Sequence, residues 1–149
     1  HVPYRGSAPM LTELMAERLE VGMDNIPSSL AFIKEGKLRA VATTGAKRSP
    51  VLPEVPTLDE AGVKGFEATA WFGVLAPAGT PRAVTERPGR AVDAVAREPA
   101  FRARIEPLGG DLPGLTPDGG TSPETFEAFL AAERRKWQEV AQRSGAKVE

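Results

Sequence analysis

The sequence predicts an α/β protein in which helices flank a mostly parallel sheet, and three observations support this fold class. Apolar and β-branched runs alternate with segments of helical periodicity over residues 1–76. Glycine and proline are concentrated between these segments, where they mark turns. The 149 residues are 41% hydrophobic and 26% charged, so the chain can bury one ordinary core. Strand, helix and strand at short spacing is typical of βαβ units, whose parallel strands are covered by helices.

The first predicted elements are two strands and two helices. Residues 1–4 are predicted to end a strand, and Ser7 is predicted to cap the helix that follows. Apolar side chains recur on one stripe of that helix: Met10, Leu11, Leu14, Met15 and Leu19. A short strand at residues 21–23 precedes a second helix, which begins at residues 27–29 and is stopped by Gly36.

Residues 38–76 are predicted to contain two further strands and a short helix. The β-branched segment at residues 38–44 favours a buried strand. The proline-rich loop after it ends in a capping box from Thr57 to Glu60, which predicts the start of a short helix. Residues 66–76 are the longest strand candidate. The strands therefore continue the βαβ pattern with which the chain begins.

After residue 80 the pattern changes to helices alone. A helix that begins at Thr80 is predicted to break near Arg87, because Pro88 removes a backbone hydrogen bond at a cost of about 3 kcal/mol. A short helix is predicted at residues 99–105 and a long terminal helix at residues 123–144. Six apolar residues of the terminal helix are predicted to face inward: Phe126, Phe129, Leu130, Trp137, Val140 and Ala141.

Charge and composition argue against several classes of partner. Nineteen basic and twenty acidic residues leave a net charge of -1, which gives no electrostatic reason to expect nucleic acid or a membrane surface as partner. No apolar run approaches the roughly 18 residues of a spanning helix. The absence of cysteine excludes disulfides, thiolate metal sites and a cysteine nucleophile.

Catalytic and metal-binding motifs are poorly supported, and we predict a protein that is not an enzyme. The only histidine is His1, and no serine lies in a G-x-S-x-G motif. Three serines are better explained as helix caps: Ser7, Ser28 and Ser29. Three carboxylates lack the spacing of a metal-binding loop: Asp24, Asp59 and Glu60. Phosphate-binding glycine motifs are also absent, so we expect no catalytic residue, metal or cofactor.

Two polar segments at strand ends form the candidate binding site. The loop from Tyr4 through Gly6 to Ser7 leads into a helix N-terminus, whose free amides suit an anion such as a carboxylate. Asp24 and Asn25 end the next predicted strand, so both segments should lie side by side on the carboxyl edge of the sheet, where ligands bind. Spacing alone leaves open the alternative that Asp24 and Asn25 only cap the second helix.

Long segments of the sequence resemble a known family of receptors. They are HVPYRGSAPMLTELMAERLEVGMDNIPS, then IKEGKLRAVATTGAKRSPVLPEVPTLDEAGVKGFEATAWFGVLAPAGTP and, more loosely, FEAFLAAERRKWQEVAQRSGAK. These segments resemble the extracytoplasmic solute-binding proteins of tripartite tricarboxylate transporters, the TctC or Bug family. The resemblance implies a periplasmic receptor whose two α/β lobes close around a small carboxylate and pass it to a membrane permease.

The resemblance also implies a division of the chain and a set of binding residues. Residues 1–66 would belong to the second lobe, residues 67–76 would be the crossover strand, and residues 77–149 would return as helices to the first lobe. The first lobe, its main carboxylate-binding loop and a signal peptide are expected to precede His1. The cleft-lining residues would be Tyr4, Gly6, Ser7, Asp24 and Asn25. Asp24 would accept a hydrogen bond from the ligand or repel a misplaced second carboxylate.

Two hypotheses for function follow, from different classes. The first is a carboxylate-binding receptor, or the C-terminal half of one, that serves permease subunits of a secondary transporter. The alternative is a ligand-sensing module that regulates a signalling partner, because two-lobed binding domains are reused in that way. Without the first lobe, helices after residue 80 would lose the sheet they cover, so we also expect a homodimer through exposed helical faces.

Overall fold

The computed structural model describes residues 2–112, 114–116 and 118–145. Its helices, in chain order, are α1 (Ser7–Met15), α2 (Ile26–Lys34), α3 (Arg82–Arg97), α4 (Pro99–Ile105), a 3-10 helix (Glu106–Leu108) and α5 (Pro123–Ser144). The predicted bounds of α4 and α5 are confirmed. The predicted role of His1 in a strand end, and residues 146–149 of the predicted C-terminal segment, lie outside the described residues.

The described residues divide into two compact units. The first combines His1–Val74 with Arg104–Asp111, and the second combines Leu75–Ala103 with Leu112–Glu149. The first unit therefore contains α1, α2 and the 3-10 helix, while the second contains α3 and α5. The first change between units falls between Val74 and Leu75.

Helices α1 and α2 pack together in the first unit and share its small apolar core. Leu11 of α1 and Leu30 of α2 are buried. The 3-10 helix packs on α2, and Gly109 follows it at a close approach, since a Cβ there would lie 2.5 Å from Ile26 Cγ2. The prediction that Ser7 caps α1 is wrong. Gly6 occupies the N-cap with φ 107°, a conformation that glycine adopts without strain, and no side chain caps α1.

A capping box and a parallel bridge organise the middle of the first unit. Thr57 N–H donates to Glu60 Oε2 over 2.9 Å and Glu60 N–H donates to Thr57 Oγ1 over 3.1 Å, which confirms the predicted capping box. The residues that follow form turns rather than the predicted short helix. Thr43 and Thr57 form an isolated parallel bridge, with Thr43 N–H donating to the Pro56 carbonyl over 2.8 Å.

The four predicted strands are not confirmed in the described part of the chain, which contains this one bridge and no strand ladder. Apolar residues of these segments are exposed, including Val21 at 77%, Val41 at 69% and Phe72 at 91%. A β-strand requires a neighbouring strand to pair its backbone and to cover its side chains. The local sequence is typical of strands that are buried on both faces, but the described residues do not supply those neighbours.

In the second unit α3 runs without interruption through Pro88, so the predicted break near Arg87 is wrong. The proline deprives the Val84 carbonyl of its helical donor, but Val84 is 60% exposed and water can reach it. Two ion pairs share Glu86 on this stretch, with Arg82 Nε at 2.8 Å and Arg90 Nη2 at 2.9 Å. Pairs at this i,i+4 spacing support a helix, which offsets part of the cost of the proline.

Helix α5 begins at a capping box of its own. Thr125 N–H donates to Ser122 Oγ over 3.2 Å, and Ser122 N–H donates to Thr125 Oγ1 over 2.9 Å. Phe126 and Phe129 stack with their ring centroids 6.1 Å apart. The predicted inward face does not extend to the end of α5, because Trp137 is 43% exposed. This half of the helix buries little apolar surface within the described residues.

Candidate functional site

The structure brings Ser7, Asp24 and Ser28 together where α1 and α2 begin. Ser7 Oγ donates to Asp24 Oδ1 over 2.5 Å, and Ser28 Oγ donates to Asp24 Oδ2 over 2.6 Å. We call these three residues the Asp24 cluster. Ser7 is the first residue of α1, Ser28 lies in the first turn of α2 and Asp24 precedes α2 by two residues. One carboxylate therefore connects the N-terminal ends of two helices.

Asn25 follows Asp24 directly and contributes its backbone, not its side chain, to the start of α2. It is the N-cap residue of α2 in an extended conformation, but its side chain makes no capping hydrogen bond. Its backbone carbonyl accepts from Ser28 Oγ over 2.8 Å and from Ser29 Oγ over 3.1 Å. The prediction that Ser28 and Ser29 act as helix caps is wrong, because both hydroxyls donate to oxygen atoms instead of accepting from free amides. Asp24 likewise accepts from hydroxyls and not from amides of α2.

Gly6 and Tyr4 lie on the approach to the cluster. Gly6 is exposed at the N-cap of α1, and the absence of a side-chain cap leaves amides of the first turn without a side-chain partner. Such amides and the positive end of the helix dipole favour an anion. Tyr4 is half-buried, and among the described residues no hydrogen bond joins it to the Asp24 cluster. The geometry thus unites Ser7 with Asp24 but does not connect Tyr4 to them.

A pocket of about 320 Å³ opens between α1 and α2, and the two serines of the cluster contribute to its wall. The remaining lining residues are mostly apolar: Ala8, Leu11, Thr12, Met15 and Phe32. Pockets that bind small organic molecules usually combine such an apolar wall with a few polar groups that fix the orientation of the ligand. Ser7 and Ser28 are placed to supply those polar groups.

The Asp24 carboxylate is held by neutral partners. Within the described ranges Asp24 forms no ion pair, and its hydrogen-bond donors are the two serine hydroxyls. Neutral donors orient a carboxylate without balancing its charge, and such a carboxylate attracts hydrogen-bond donors and repels a second anion.

A second carboxylate cluster lies in the second unit, around Arg97 of α3. Arg97 forms ion pairs with Asp93, at 3.0 Å, and with Asp118. Asp93 Oδ1 also accepts from Thr121 N–H over 2.7 Å. The hydrogen bond from Arg97 is the main cause that lowers the pKa of Asp118 to about 2, with a further contribution from the Thr116 hydroxyl. The same arginine and the Thr121 amide lower the pKa of Asp93. We call these groups the Arg97 cluster.

Two other kinds of site receive no support from the described residues. No group of three or more histidine, cysteine or carboxylate side chains within them is arranged to hold a metal ion. None of their helices is both long and apolar enough to cross a membrane.

Sequence reasoning missed Ser28 as a candidate site residue. Its position at the start of α2 suggested a cap, whereas its hydroxyl turns back by one helical turn to Asp24. The i,i+4 spacing of Asp24 and Ser28 was the available signal. The contact of Ser7 with Asp24, 17 residues apart, depends on tertiary packing that spacing does not specify.

Comparison with known proteins identifies the family. The family model described as "Tripartite tricarboxylate transporter family receptor" matches residues 1–145. The chain belongs to this receptor family. The resemblance seen in the sequence is therefore confirmed, and solved structures of similar proteins extend it to the fold.

Three similar structures are periplasmic or carboxylate-bound proteins. Rpa4515 of R. palustris, solved with adipate, is 37% identical with a TM-score of 0.85, over 97% of this chain and 46% of that one. The periplasmic binding protein BugD is 32% identical with a TM-score of 0.86, over 99% and 48%. MatC from Rhodopseudomonas palustris, solved with bound malate, is 32% identical with a TM-score of 0.81, over 93% and 46%.

These comparisons bear on the fold and on the family of the chain. The fold resembles that of periplasmic binding proteins, although the parallel sheet expected for it is not confirmed in the described residues. The family of the chain and its structural neighbours are solute-binding receptors and not enzymes. The chain spans about half the length of the proteins it matches: 46–48% of the three solved chains and 40–43% of two curated relatives.

Proposed function

We propose that this chain forms part of an extracytoplasmic solute-binding protein that captures a small carboxylate for a tripartite tricarboxylate-type secondary transporter. The observation that carries the proposal is the likeness, at 37% and 32% identity, to proteins solved with adipate and with malate. The family match over residues 1–145 supports the transport role. The expected compartment is the periplasm, as for BugD.

The proposed binding residues are Tyr4, Gly6, Ser7, Asp24 and Asn25. Free amides at the N-terminus of α1, beyond Gly6, would receive one carboxylate group of the ligand directly or through water. Asp24 would determine which other groups the ligand carries, since its charge favours donors and opposes anions. Asn25 is an exposed N-cap residue whose side chain makes no capping hydrogen bond, so that side chain could contact the ligand.

Lobe closure is the proposed mechanism. Residues 1–66 would form the second-lobe part, residues 67–76 would cross between lobes, and residues 77–149 would return to the first lobe. The ligand would increase the population of the closed state by binding it more tightly than the open state. A closed receptor would then present the carboxylate to the permease subunits of the transporter.

A second copy of the chain is a further proposed partner. Helix α3 exposes Val84, Val92 and Val95, of which Val84 is 60% exposed. Exposed apolar faces of this kind tend to be covered by a partner surface. Light scattering coupled to size-exclusion chromatography should show a dimer of this chain, and a single monomer peak across a tenfold range of concentration would contradict that part of the proposal.

Calorimetry on the full-length product of the gene that encodes this chain tests carboxylate capture. We expect adipate, malate or succinate to bind, and the corresponding diamides to bind about 100-fold more weakly or not at all. Each diamide has nearly the same shape but lacks the charge-assisted hydrogen bonds of a carboxylate, which are worth about 1.5–3 kcal/mol each. Equal affinity for an acid and its diamide, or no binding by any member of the panel, would reject the function.

Uptake by cells tests the transport role separately from binding. A strain without the gene should lose uptake of the radiolabelled carboxylate that binds in calorimetry, and the wild-type gene should restore it. If uptake continues unchanged while binding is intact, the receptor does not serve a transporter, and the sensing alternative takes its place.

A further inference from the structure

We infer that Gly109 is a positioning residue for the proposed binding segment, Asp24 and Asn25, because it allows the end of the 3-10 helix to dock against the start of α2. The inference rests on the proposed function and concerns how its site is held in place. Gly109 ties residues 104–111, both ends of which continue into the second unit, to the helix that follows the binding segment.

Gly109 ends the 3-10 helix at a point where there is no room for a side chain. Its φ of 77° lies in the left-handed region, and its N–H donates to the Glu106 carbonyl over 2.9 Å. A Cβ at this position would lie 2.5 Å from Ile26 Cγ2 and 2.8 Å from Val51 Cγ2. Carbon atoms of neighbouring groups pack at about 3.5–4.0 Å, so a Cβ would force a displacement of about 1 Å.

Both side chains that face Gly109 are stiff. Ile26 and Val51 are branched at Cβ, and such side chains have little freedom at χ1. Ile26 is the first residue of α2, so the position of its side chain follows that of the helix backbone. Val51 lies in the proline-rich loop, which Arg48 Nη1 closes by donating to the Pro53 carbonyl over 3.1 Å. A displacement at Gly109 therefore moves the start of α2.

Hydrogen bonds connect the start of α2 to the two residues before it. Ser28 Oγ donates to Asp24 Oδ2 over 2.6 Å, and Ser28 N–H donates to the Asn25 carbonyl over 3.2 Å. Ile26 follows Asn25 directly, so a shift of its backbone carries the binding segment with it. Binding residues have to be held within about 0.5 Å of the productive geometry. A displacement of about 1 Å exceeds that tolerance.

The chain itself connects this contact to the second unit. Arg104–Asp111 belongs to the first unit, whereas Leu75–Ala103 before it and Leu112–Glu149 after it belong to the second. A change that the ligand makes at the start of α2 reaches this segment through Gly109, and a change in the segment reaches the binding residues by the same contact. Such a link between ligand and segment is reciprocal.

Calorimetry on the full-length gene product tests the positioning. Gly109→Ala should weaken binding of the best-binding carboxylate of the panel by about tenfold or more. Gly36→Ala is the matched control, because Gly36 follows α2 with a similar φ of 72° but a Cβ there would meet no atom within 4 Å. Its affinity should stay within about twofold of the wild type. Lower thermal stability of Gly109→Ala with unchanged affinity would overturn the inference, since Gly109 would then serve packing alone.

Substitution of Ile26 tests whether the effect passes through α2. Ile26→Ala removes the Cγ2 atom that a Cβ at residue 109 would meet first. Gly109→Ala should therefore reduce the affinity clearly less in the Ile26→Ala background than in the wild type, and equal losses in both backgrounds would reject the proposed route. Should Gly109→Ala fail to fold, Ile26→Ala alone decides: it removes the docking contact and should weaken binding severalfold, and unchanged affinity would refute the positioning role.

Hydrogen exchange tests the link to residues 104–111. In the wild type the carboxylate should slow amide exchange in this segment, and Gly109→Ala should lose that protection at ligand concentrations that saturate both proteins. Residues 57–65 of the same unit are the control for general stabilisation and should exchange equally with and without ligand. Protection that is absent in the wild type, or that is equal in the two segments, would contradict the link.

These outcomes are distinguishable from a failure of the proposed function. If the wild type binds carboxylates in preference to their diamides and Gly109→Ala binds them equally well, the inference fails and the function stands. If the wild type binds no carboxylate of the panel, both fail.

Discussion

The Asp24 cluster and the Arg97 cluster both hold carboxylates by hydrogen bonds. They differ in whether a cation is among the donors. In the Asp24 cluster two neutral hydroxyls donate to the carboxylate at 2.5 and 2.6 Å. In the Arg97 cluster a guanidinium lies between Asp93 and Asp118, and the Thr121 amide adds another donor. The single arginine balances one of the two negative charges of its cluster, whereas the hydroxyls orient the Asp24 carboxylate without balancing any of its charge.

This difference suits the Asp24 cluster to binding a ligand and the Arg97 cluster to stabilising the local fold. A carboxylate whose charge is balanced by a fixed arginine has little left to offer a ligand, and its removal disturbs the local fold. A carboxylate held by hydroxyls is oriented but still electrostatically active. We therefore expect changes at Asp24 to affect binding and changes in the Arg97 cluster to affect stability.

The largest expected effect that tests this assignment of roles is on the affinity for the carboxylate ligand. Asp24→Ala should weaken binding of the preferred carboxylate by about 100-fold, because it releases both serines and removes the charge that orients them. Its stability should change little, since the hydroxyls are partly exposed and can bond to water. Arg97→Ala should leave the affinity within twofold. Calorimetry on both variants checks the contrast, and a large loss of affinity in Arg97→Ala would break it.

The next effect is on the stability of the Arg97 cluster. Gly120 is buried, and a Cβ at this position would overlap with Arg97 Nη2 and Asp93 Oδ1. Gly120→Ala should therefore displace the ends of the Arg97 and Asp93 side chains and lower the midpoint of chemical unfolding below that of the wild type. Gly114→Ala is the control, because a Cβ there would meet no atom within 4 Å. Chemical unfolding measures both, and equal stability of the two variants would refute a structural role for this packing.

A smaller effect is expected from removing the arginine itself. Arg97→Ala leaves Asp93 and Asp118 without their shared cation, so the melting temperature should fall. Arg90→Ala removes a comparable i,i+4 pair, with Glu86, in which the arginine side chain is 78% exposed. Pairs that are so exposed contribute little. Thermal unfolding should show a clearly larger decrease for Arg97→Ala, and the reverse order would mean that the Arg97 cluster is no more than a surface ion pair.

The same distinction between local and non-local causes explains what could be predicted from the sequence. The bounds of α4 and α5 and the capping box of Thr57 depend on residues within a few positions, so local patterns predicted them. The strands at residues 21–23 and 38–44 depend on neighbours elsewhere, and the described residues do not supply them. Ser7 and Asp24 were each predicted as site residues, but their hydrogen bond depends on how α1 packs against α2.

Acid should weaken the Arg97 cluster, and this is the smallest of the expected effects. The pKa of Asp118 is about 2 in the folded protein, below its ordinary value of 3.8, so the folded state binds the proton less readily than the unfolded state. Its contribution to stability is therefore complete above about pH 4 and is lost as the pH falls toward 2. Thermal unfolding from pH 5 to pH 2 should show Asp118→Asn less stable than the wild type at pH 5, with a difference that shrinks on acidification. A constant difference across this range would mean that the Asp118 charge does not stabilise the fold, and the cluster would then owe its stability to the pairing of Arg97 with Asp93.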